Sequence, residues 1–342
     1  MEYIVTGATG HIGNVVVGTL LKNGESVTAL SLKNEDLTPL NGLDVKIVIG
    51  DVTDRNFVFK FIKPNCVVLH LAGIIDIGII PYNLIYNVNV LGTKNIVDAC
   101  IQNGAKKLIY LSTVHIIDPQ KHGDILVETS TFNKNKIIGD YAKTKLEATE
   151  YIFDACKNKG LNATVLYPSG VIGPYDFKIS EVGQVVLDHM NGKLLAYVKG
   201  GYNFVDVRDV ATATVSAVKN GRCCEGYIVG GRPVTLLELL KTINKKLGKK
   251  HLPPKIAMWF VRLFAGITNT YYKLRGKKPI FSAYSLYTLN SNANFSNEKA
   301  KKELNYQPIS FEKSIYDQID WFIENKPELV KLKKKYVVLK TK

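Results

Sequence analysis

The run Thr6-Gly7-Ala8-Thr9-Gly10-His11-Ile12-Gly13 constrains the fold more than any other, because it joins an apolar stretch to an amphipathic one. Residues 3–6 read as a strand, and residues 12–22 as a helix closed by Asn23-Gly24. Glycines spaced G-x-x-G-x-x-G permit a tight turn and let the backbone approach a ligand closely. The N-terminus of the following helix then offers oriented N–H groups to an anion such as a dinucleotide's pyrophosphate. Further strand signals at 26–32, 45–49, 67–71, 107–112 and 162–167 alternate with helical signals at 57–63, 88–102 and 141–159. This alternation predicts an α/β fold, a doubly wound parallel sheet covered on both faces.

After Pro168 the rhythm breaks into short turns, glycines and a basic aromatic stretch, with one return at 204–218. At 342 residues there is room for a full α/β core and a smaller C-terminal lobe. The expected division is a dinucleotide-binding domain at 1–169 plus 204–230, a substrate-binding lobe at 170–203 plus 231–325, and a basic tail at 326–342. Such a lobe grows from loops at the carboxyl ends of the strands, where open α/β sheets bind ligands.

Lys and Arg number 45 against 30 Asp and Glu, a net charge of +15, and residues 326–342 alone hold seven Lys and one Glu. The remaining lysines are scattered, with no arginine-rich or aromatic-interleaved stripe, so the charge reads as a solvated surface and excludes nucleic acid as the expected partner. Cys66, Cys100, Cys156, Cys223 and Cys224 fit neither a disulfide framework nor metal-ligand spacing. No metal is expected, and free thiols point to a reducing cytoplasm. No uncharged apolar run reaches the ~18 residues of a spanning helix. The first strand signal begins near Met1, where a signal peptide would otherwise stand. The expectation is a cytoplasmic protein without stable membrane insertion.

Tyr141 and Lys145 lie four residues apart, on one face of a helix. There an ammonium can stabilise a phenolate and make tyrosine usable as an acid or base near neutrality. Ser112 and Thr113 close the preceding strand and can supply a hydroxyl to orient a substrate oxygen. Joined to the glycine turn, these residues predict nicotinamide-dependent carbonyl/alcohol chemistry.

T-G-x-x-G-x-x-G together with Y-x-x-x-K resembles the short-chain dehydrogenase/reductase superfamily in its extended form, the NAD-dependent epimerase/dehydratase superfamily, over nearly the whole chain. The resemblance implies a Rossmann domain whose pyrophosphate site is built by Gly7, Thr9, Gly10, His11, Ile12 and Gly13. Asp51 and Val52, in Gly50-Asp51-Val52-Thr53-Asp54, match the segment that holds the adenine. Leu71, Ala72 and Gly73 match the turn beside the adenine ribose, and Asn89 the helix that supports the active site. Pro168, Ser169 and Val171 match the loop near the nicotinamide, with Tyr167 where relatives carry arginine. Residues 204–210 match the segment by which relatives return to the sheet. The catalytic triad implied is Thr113, Tyr141 and Lys145. Tyr141 handles the proton, Lys145 lowers the tyrosine pKa and binds the nicotinamide ribose, and Thr113 orients the substrate.

The second strand signal ends Leu30-Ser31-Leu32-Lys33-Asn34, with no carboxylate until Glu35. Ser31 and Lys33 can bind a 2′-phosphate, which favours NADP(H), with NAD(H) as the alternative. The sugar-nucleotide members usually carry a proline four residues before the catalytic tyrosine; here that position is Ile137. The chain looks closer to dihydroflavonol 4-reductase-like and 3β-hydroxysteroid dehydrogenase-like members. The expected function is therefore interconversion of a ketone and a secondary alcohol on an apolar or ring-bearing small molecule. A nucleotide-sugar epimerase or dehydratase and a non-enzymatic NADP-binding sensor stand as alternatives. The resemblance also implies a homodimer through the helices at 88–102 and 141–159. His115 reads as an exposed histidine near the site, and Asp76 as a solvated loop carboxylate. The run 257–266 with Tyr271, Tyr272, Lys273 and Arg275 reads as a helix on the second lobe, with a membrane-surface or lid role as the rival.

Overall fold

Burial is continuous along Val67–His70, Lys107–Leu111 and Ala163–Pro168, as expected of strands covered on both faces. The computed structural model describes residues 1–76, 80–259 and 283–331. In chain order, β1 (Glu2–Thr6), α1 (His11–Lys22), β2 (Ser26–Ser31), β3 (Lys46–Ile49), α2 (Arg55–Phe61) and β4 (Val67–His70) build the first half. A short α3 (Tyr82–Tyr86) runs through a π-helical segment, Asn87–Gly92, into α4 (Thr93–Asn103). Then follow β5 (Lys107–Leu111), α5 (Asp140–Asn158) and β6 (Ala163–Pro168).

These strands form a seven-stranded sheet in the order β10-β6-β5-β4-β1-β2-β3, where β10 is Glu225–Val229. All its pairings are parallel. The doubly wound Rossmann architecture read from the sequence is therefore present. Strand order reverses between β1 and β4, and the crevice at their carboxyl ends is where such sheets bind ligands. Two apolar layers flank the sheet: Val16, Val17 and Leu20 of α1 pack on one face with Val210 and Ala213, while Ile96, Leu146 and Ile152 cover the other.

Strands β7 (Gly170–Ile172), β9 (Gly201–Asp206) and β11 (Arg232–Thr235) make a separate three-stranded sheet. Residues 204–206 thus lie in this second sheet, and the chain returns to the main one only at β10, after α7 (Val207–Asn220). The expected return at 204–210 is corrected accordingly. Helices α6 (Glu181–Met190), α8 (Leu236–Leu247) and the helix Phe311–Asn325 pack around the small sheet. Among the described residues no helix is long and apolar enough to cross a membrane. Most of the 257–266 run, Tyr271 to Arg275 and the lysines at 333–335 lie outside the described residues.

Candidate active site

The glycine turn is sterically committed. Gly7 has φ 69°, and a Cβ there would stand 2.7 Å from the Ala72 nitrogen. A Cβ on Gly13 would come within 2.0 Å of the Gly7 carbonyl oxygen, so α1 packs onto the turn at a distance only glycine allows. Gly10 caps α1 with no side-chain hydrogen bond, and the first turn carries no acidic residue. Its N–H groups are left for an external anion, which fits a dinucleotide pyrophosphate. The turn is braced from the second lobe: His11 Nε2 donates to the Pro174 carbonyl at 2.9 Å, and Asn14 Nδ2 to the Tyr175 carbonyl at 3.2 Å. Ile12 is half-buried beside it.

Behind the turn runs a polar chain that motif matching did not reveal. The Ala72 amide donates to Thr6 Oγ1 at 3.1 Å, and Thr6 Oγ1 donates to His70 Nδ1 at 2.7 Å. His70 Nε2 donates to Thr93 Oγ1 at 3.0 Å, which donates to the Asn89 carbonyl at 2.7 Å. Every hydroxyl proton is used once, so the tautomer follows: Nε2 carries the hydrogen and the ring is neutral. Burial, reinforced by Lys145, pushes the His70 pKa down to about 3. Asn89 in turn clamps Ile74, accepting from its amide at 2.8 Å and donating to its carbonyl at 3.0 Å. Its amide also reaches Thr144 Oγ1 at 3.1 Å. Leu71, Ala72 and Gly73 are thereby held at the carboxyl end of β4, and a Cβ on Gly73 would sit 3.6 Å from Lys145 Nζ.

Thr113, Tyr141 and Lys145 come together at the end of β5 and the first turns of α5. Tyr141 is 9% exposed and Lys145 4%. The Thr113 hydroxyl acts on the Tyr141 phenol, opposing the rise that burial causes in its pKa. Ser112 faces away: Thr149 Oγ1 spends its proton on the Lys145 carbonyl at 2.7 Å, so Ser112 donates to Thr149 at 2.8 Å. Of the two hydroxyls, Thr113 is the one that acts on Tyr141. Lys145 Nζ donates to the Leu111 carbonyl at 2.6 Å and lies 4.3 Å above the Tyr110 ring.

The electrostatics differ from the expected lysine-lowered tyrosine. Burial pushes Tyr141 up to about 12, with only the Thr113 hydrogen bond opposing. Burial pulls Lys145 down to about 7.

His115 is not the exposed histidine expected from its loop position. Its ring stacks on Tyr202 at 5.6 Å, meets Tyr141 edge-on at 6.4 Å, and its Nε2 is 3.0 Å from the Tyr202 hydroxyl. Burial lowers its pKa to about 4. The Tyr284 ring lies 5.6 Å away, and its buried hydroxyl has no partner among the described residues. Beyond them opens a cavity of about 40 Å³ lined by Leu126, Ile137, Ile138 and Phe295. Asp76 is likewise buried and accepts the Ile80 amide at 2.9 Å.

In the segment expected to hold the adenine, Asp51 accepts the Thr53 amide at 2.8 Å, and Asn95 pins the Val52 carbonyl at 3.0 Å. Ser31 is buried and Lys33 exposed. Glu35, distant by residue count, turns back so that Ser31 Oγ donates to its carboxylate at 3.0 Å. In the loop expected near the nicotinamide, Pro168 is buried at the end of β6 and Val171 is half-buried on β7. Ser169 Oγ is buried without a partner among the described residues, an open hydrogen-bonding position that suits an amide-bearing ring. Tyr167, in the arginine's place, is fully buried, and burial raises its pKa. Among the described residues no group of three or more His, Cys, Asp or Glu could hold a metal.

A doubly wound sheet opening on a glycine cradle defines the Rossmann class of dinucleotide-binding proteins. The chain belongs to the NAD dependent epimerase/dehydratase family, whose model matches residues 3–230. It is similar to Sterol demethylase protein B of Methylococcus capsulatus, 29% identical over 331 residues that cover 95% of this chain and 99% of that protein. A putative dihydroflavonol 4-reductase of Synechocystis is 26% identical, covering 94% of each chain. A 3beta-hydroxysteroid-dehydrogenase/decarboxylase of Arabidopsis thaliana is 30% identical over 78% of this chain and 64% of its own length. Among solved structures, gox2253 superposes with a TM-score of 0.83 at 29% identity, covering 94% of this chain and 98% of that one. These relatives are extended short-chain dehydrogenase/reductase members, as the sequence motifs imply.

Proposed function

We propose that this protein interconverts a ketone and a secondary alcohol on an apolar, ring-bearing small molecule. The observation that carries the reading is the convergence of Thr113, Tyr141 and Lys145 beside the glycine cradle. A bound NAD(H) or NADP(H) supplies or accepts the hydride. Thr113 orients the substrate oxygen, and Tyr141, protonated throughout the neutral range, donates to that oxygen as it gains charge. Because burial raises the phenol pKa, abstraction of a proton during oxidation requires the phenolate to be stabilised further. Lys145 would hold the nicotinamide ribose, and its ammonium donates to the β5 carbonyl of Leu111.

The aromatic wall of His115, Tyr202 and Tyr284 suits a flat, apolar substrate, and the sterol- and flavonol-related names of the relatives point to the same class. Five free thiols agree with a cytoplasmic location, and α4 with α5 is the proposed face for a homodimer. Absorbance at 340 nm with a panel of cyclic ketones tests the reaction. Tyr141→Phe is expected to retain dinucleotide binding and lose ~10²-fold or more in turnover; undiminished reduction by that variant removes the assigned acid. UDP-sugar interconversion without net dinucleotide turnover replaces the reductase with an epimerase.

A further inference from the structure

Residues 221–224 run Gly-Arg-Cys-Cys between α7 and β10, and they bring two thiols to the far end of α5. The Cys224 amide donates to the Ala163 carbonyl at 2.8 Å, which seats this turn on β6. Cys224 Sγ donates weakly to the Phe153 carbonyl of α5 at 3.9 Å, and Cys223 Sγ lies 3.5 Å from the Leu161 carbonyl. The Leu161 amide in turn donates to the Ala155 carbonyl at 3.2 Å, so both thiols sit against the end of α5. Cys156 stands there too, one turn beyond Phe153. Burial raises its pKa, and Cys223 and Cys224 push it further, to about 12.

The three thiols are not equivalent. Cys223 is exposed, Cys156 and Cys224 are half-buried, and Cys66 and Cys100 are buried elsewhere. An ammonium serves the exposed one. Lys107, at the start of β5, is 7% exposed and donates to the Gly221 carbonyl at 2.5 Å and the Val218 carbonyl at 3.2 Å. Burial lowers the Lys107 pKa and Cys223 opposes that fall, so cation and sulfur act on each other. An accessible thiol beside a cation is the one that reacts as thiolate.

We propose that Cys223 is a site of thiol–disulfide exchange with low-molecular-weight disulfides, and that Cys156 resolves the mixed disulfide formed there. The proposal stands apart from the oxidoreductase reading and uses none of its residues. In the first step the Cys223 thiolate attacks one sulfur of the reagent, the reagent's S–S bond breaks, and the departing half takes up the proton that Cys223 released. In the second, Cys156 loses its proton to water and attacks the Cys223 sulfur. The remaining half of the reagent leaves and is protonated to a thiol. Two protein thiols are thus oxidised to one disulfide, and one reagent disulfide is reduced to two thiols. Cys224 is a poor resolving group, because consecutive Cα atoms lie ~3.8 Å apart and a relaxed disulfide spans ~4.4 Å or more. The high pKa of Cys156 makes the second step the slow one. The closed bridge ties the end of α5, the helix of Tyr141 and Lys145, to the start of the edge strand β10.

Incubation of the full-length chain with glutathione disulfide, followed by alkylation, digestion and mass spectrometry, reads each step. The first product is expected to carry one glutathione on Cys223, and the later one to be a Cys156–Cys223 cross-linked peptide free of glutathione. The first step is expected to run about tenfold faster in the native chain than in the same chain unfolded in urea, where Lys107 no longer stands beside the thiol. Cys156→Ser is expected to stop at the glutathione adduct, and Cys223→Ser to slow incorporation about tenfold or more. A native rate no faster than the unfolded one, or wild-type incorporation in Cys223→Ser, overturns the assignment of Cys223. An adduct that never closes in the wild type, or a Cys223–Cys224 link in place of the expected one, overturns the role of Cys156.

Discussion

Lys145 shows how much one residue can concede to function. Its ammonium is buried, with a pKa about 7 against an ordinary 10.5. Between those values the unfolded chain holds a proton that the native site gives up, so stability contributed by this residue rises with pH across that window. A shift of that size corresponds to a destabilisation of roughly 4 kcal/mol at neutrality. Losing the bond to Leu111 would cost only ~1 kcal/mol against that gain. Lys145→Met is accordingly expected to raise the melting temperature of the ligand-free protein while abolishing turnover; a lower melting temperature in a thermal scan contradicts the account. Tyr141, Lys145 and the glycines were legible as residues because their spacing alone puts them on one helix face or in one turn. The charge state of the pair was not legible, since the exclusion of water that sets it comes from Tyr110, Thr113 and their neighbours.

At the scale of elements, strands and long helices follow the apolar periodicity closely. The helix expected at 88–102 instead starts at Tyr82 and contains a π segment, Asn87–Gly92. Its cause is tertiary: the Asn89 amide satisfies both backbone groups of Ile74 in a loop that no local propensity reports. Asn89→Leu leaves that amide and carbonyl unpaired, at a cost of ~2 kcal/mol or more. The expected result is a lower melting temperature together with weaker dinucleotide binding, because residues 71–74 border the groove. Unchanged binding in a destabilised variant would make Asn89 a packing residue only. The Glu35 turn is the same kind of case. A count of residues past β2 puts the carboxylate out of reach, whereas the Glu35 amide bonds the Leu32 carbonyl at 3.2 Å and folds it back.

For the whole molecule, two imidazoles drawn out of water, His70 buried and His115 half-buried, make stability depend on pH. His70 and His115 have pKa values of about 3 and about 4, both below the ordinary 6.5. Below about pH 6.5 the unfolded chain therefore takes up protons that the native state refuses, and stability falls as the solution is acidified. Fully buried His70 accounts for about 1.4 kcal/mol per pH unit once the unfolded imidazole is charged. Melting temperatures measured from pH 7 to pH 4.5 should fall, and His70→Gln should flatten the slope even if it lowers the starting value. An unchanged slope in that variant assigns the dependence elsewhere. His70 also connects the glycine turn, β4 and the π segment, so this titration reports on the cradle itself.

The order of apolar runs and the glycine spacing were enough to specify a doubly wound sheet, its cradle and the helix bearing Tyr141 and Lys145, because these rest on contacts within one strand–turn–helix unit. The pairing of His115 with Tyr202, of Glu35 with Lys178, and the placing of 204–206 in a second sheet joined residues 87 and 143 positions apart or strands from different sheets. Such contacts depend on where two lobes meet, and they arise only once burial, and not chain distance, decides which polar groups must find each other.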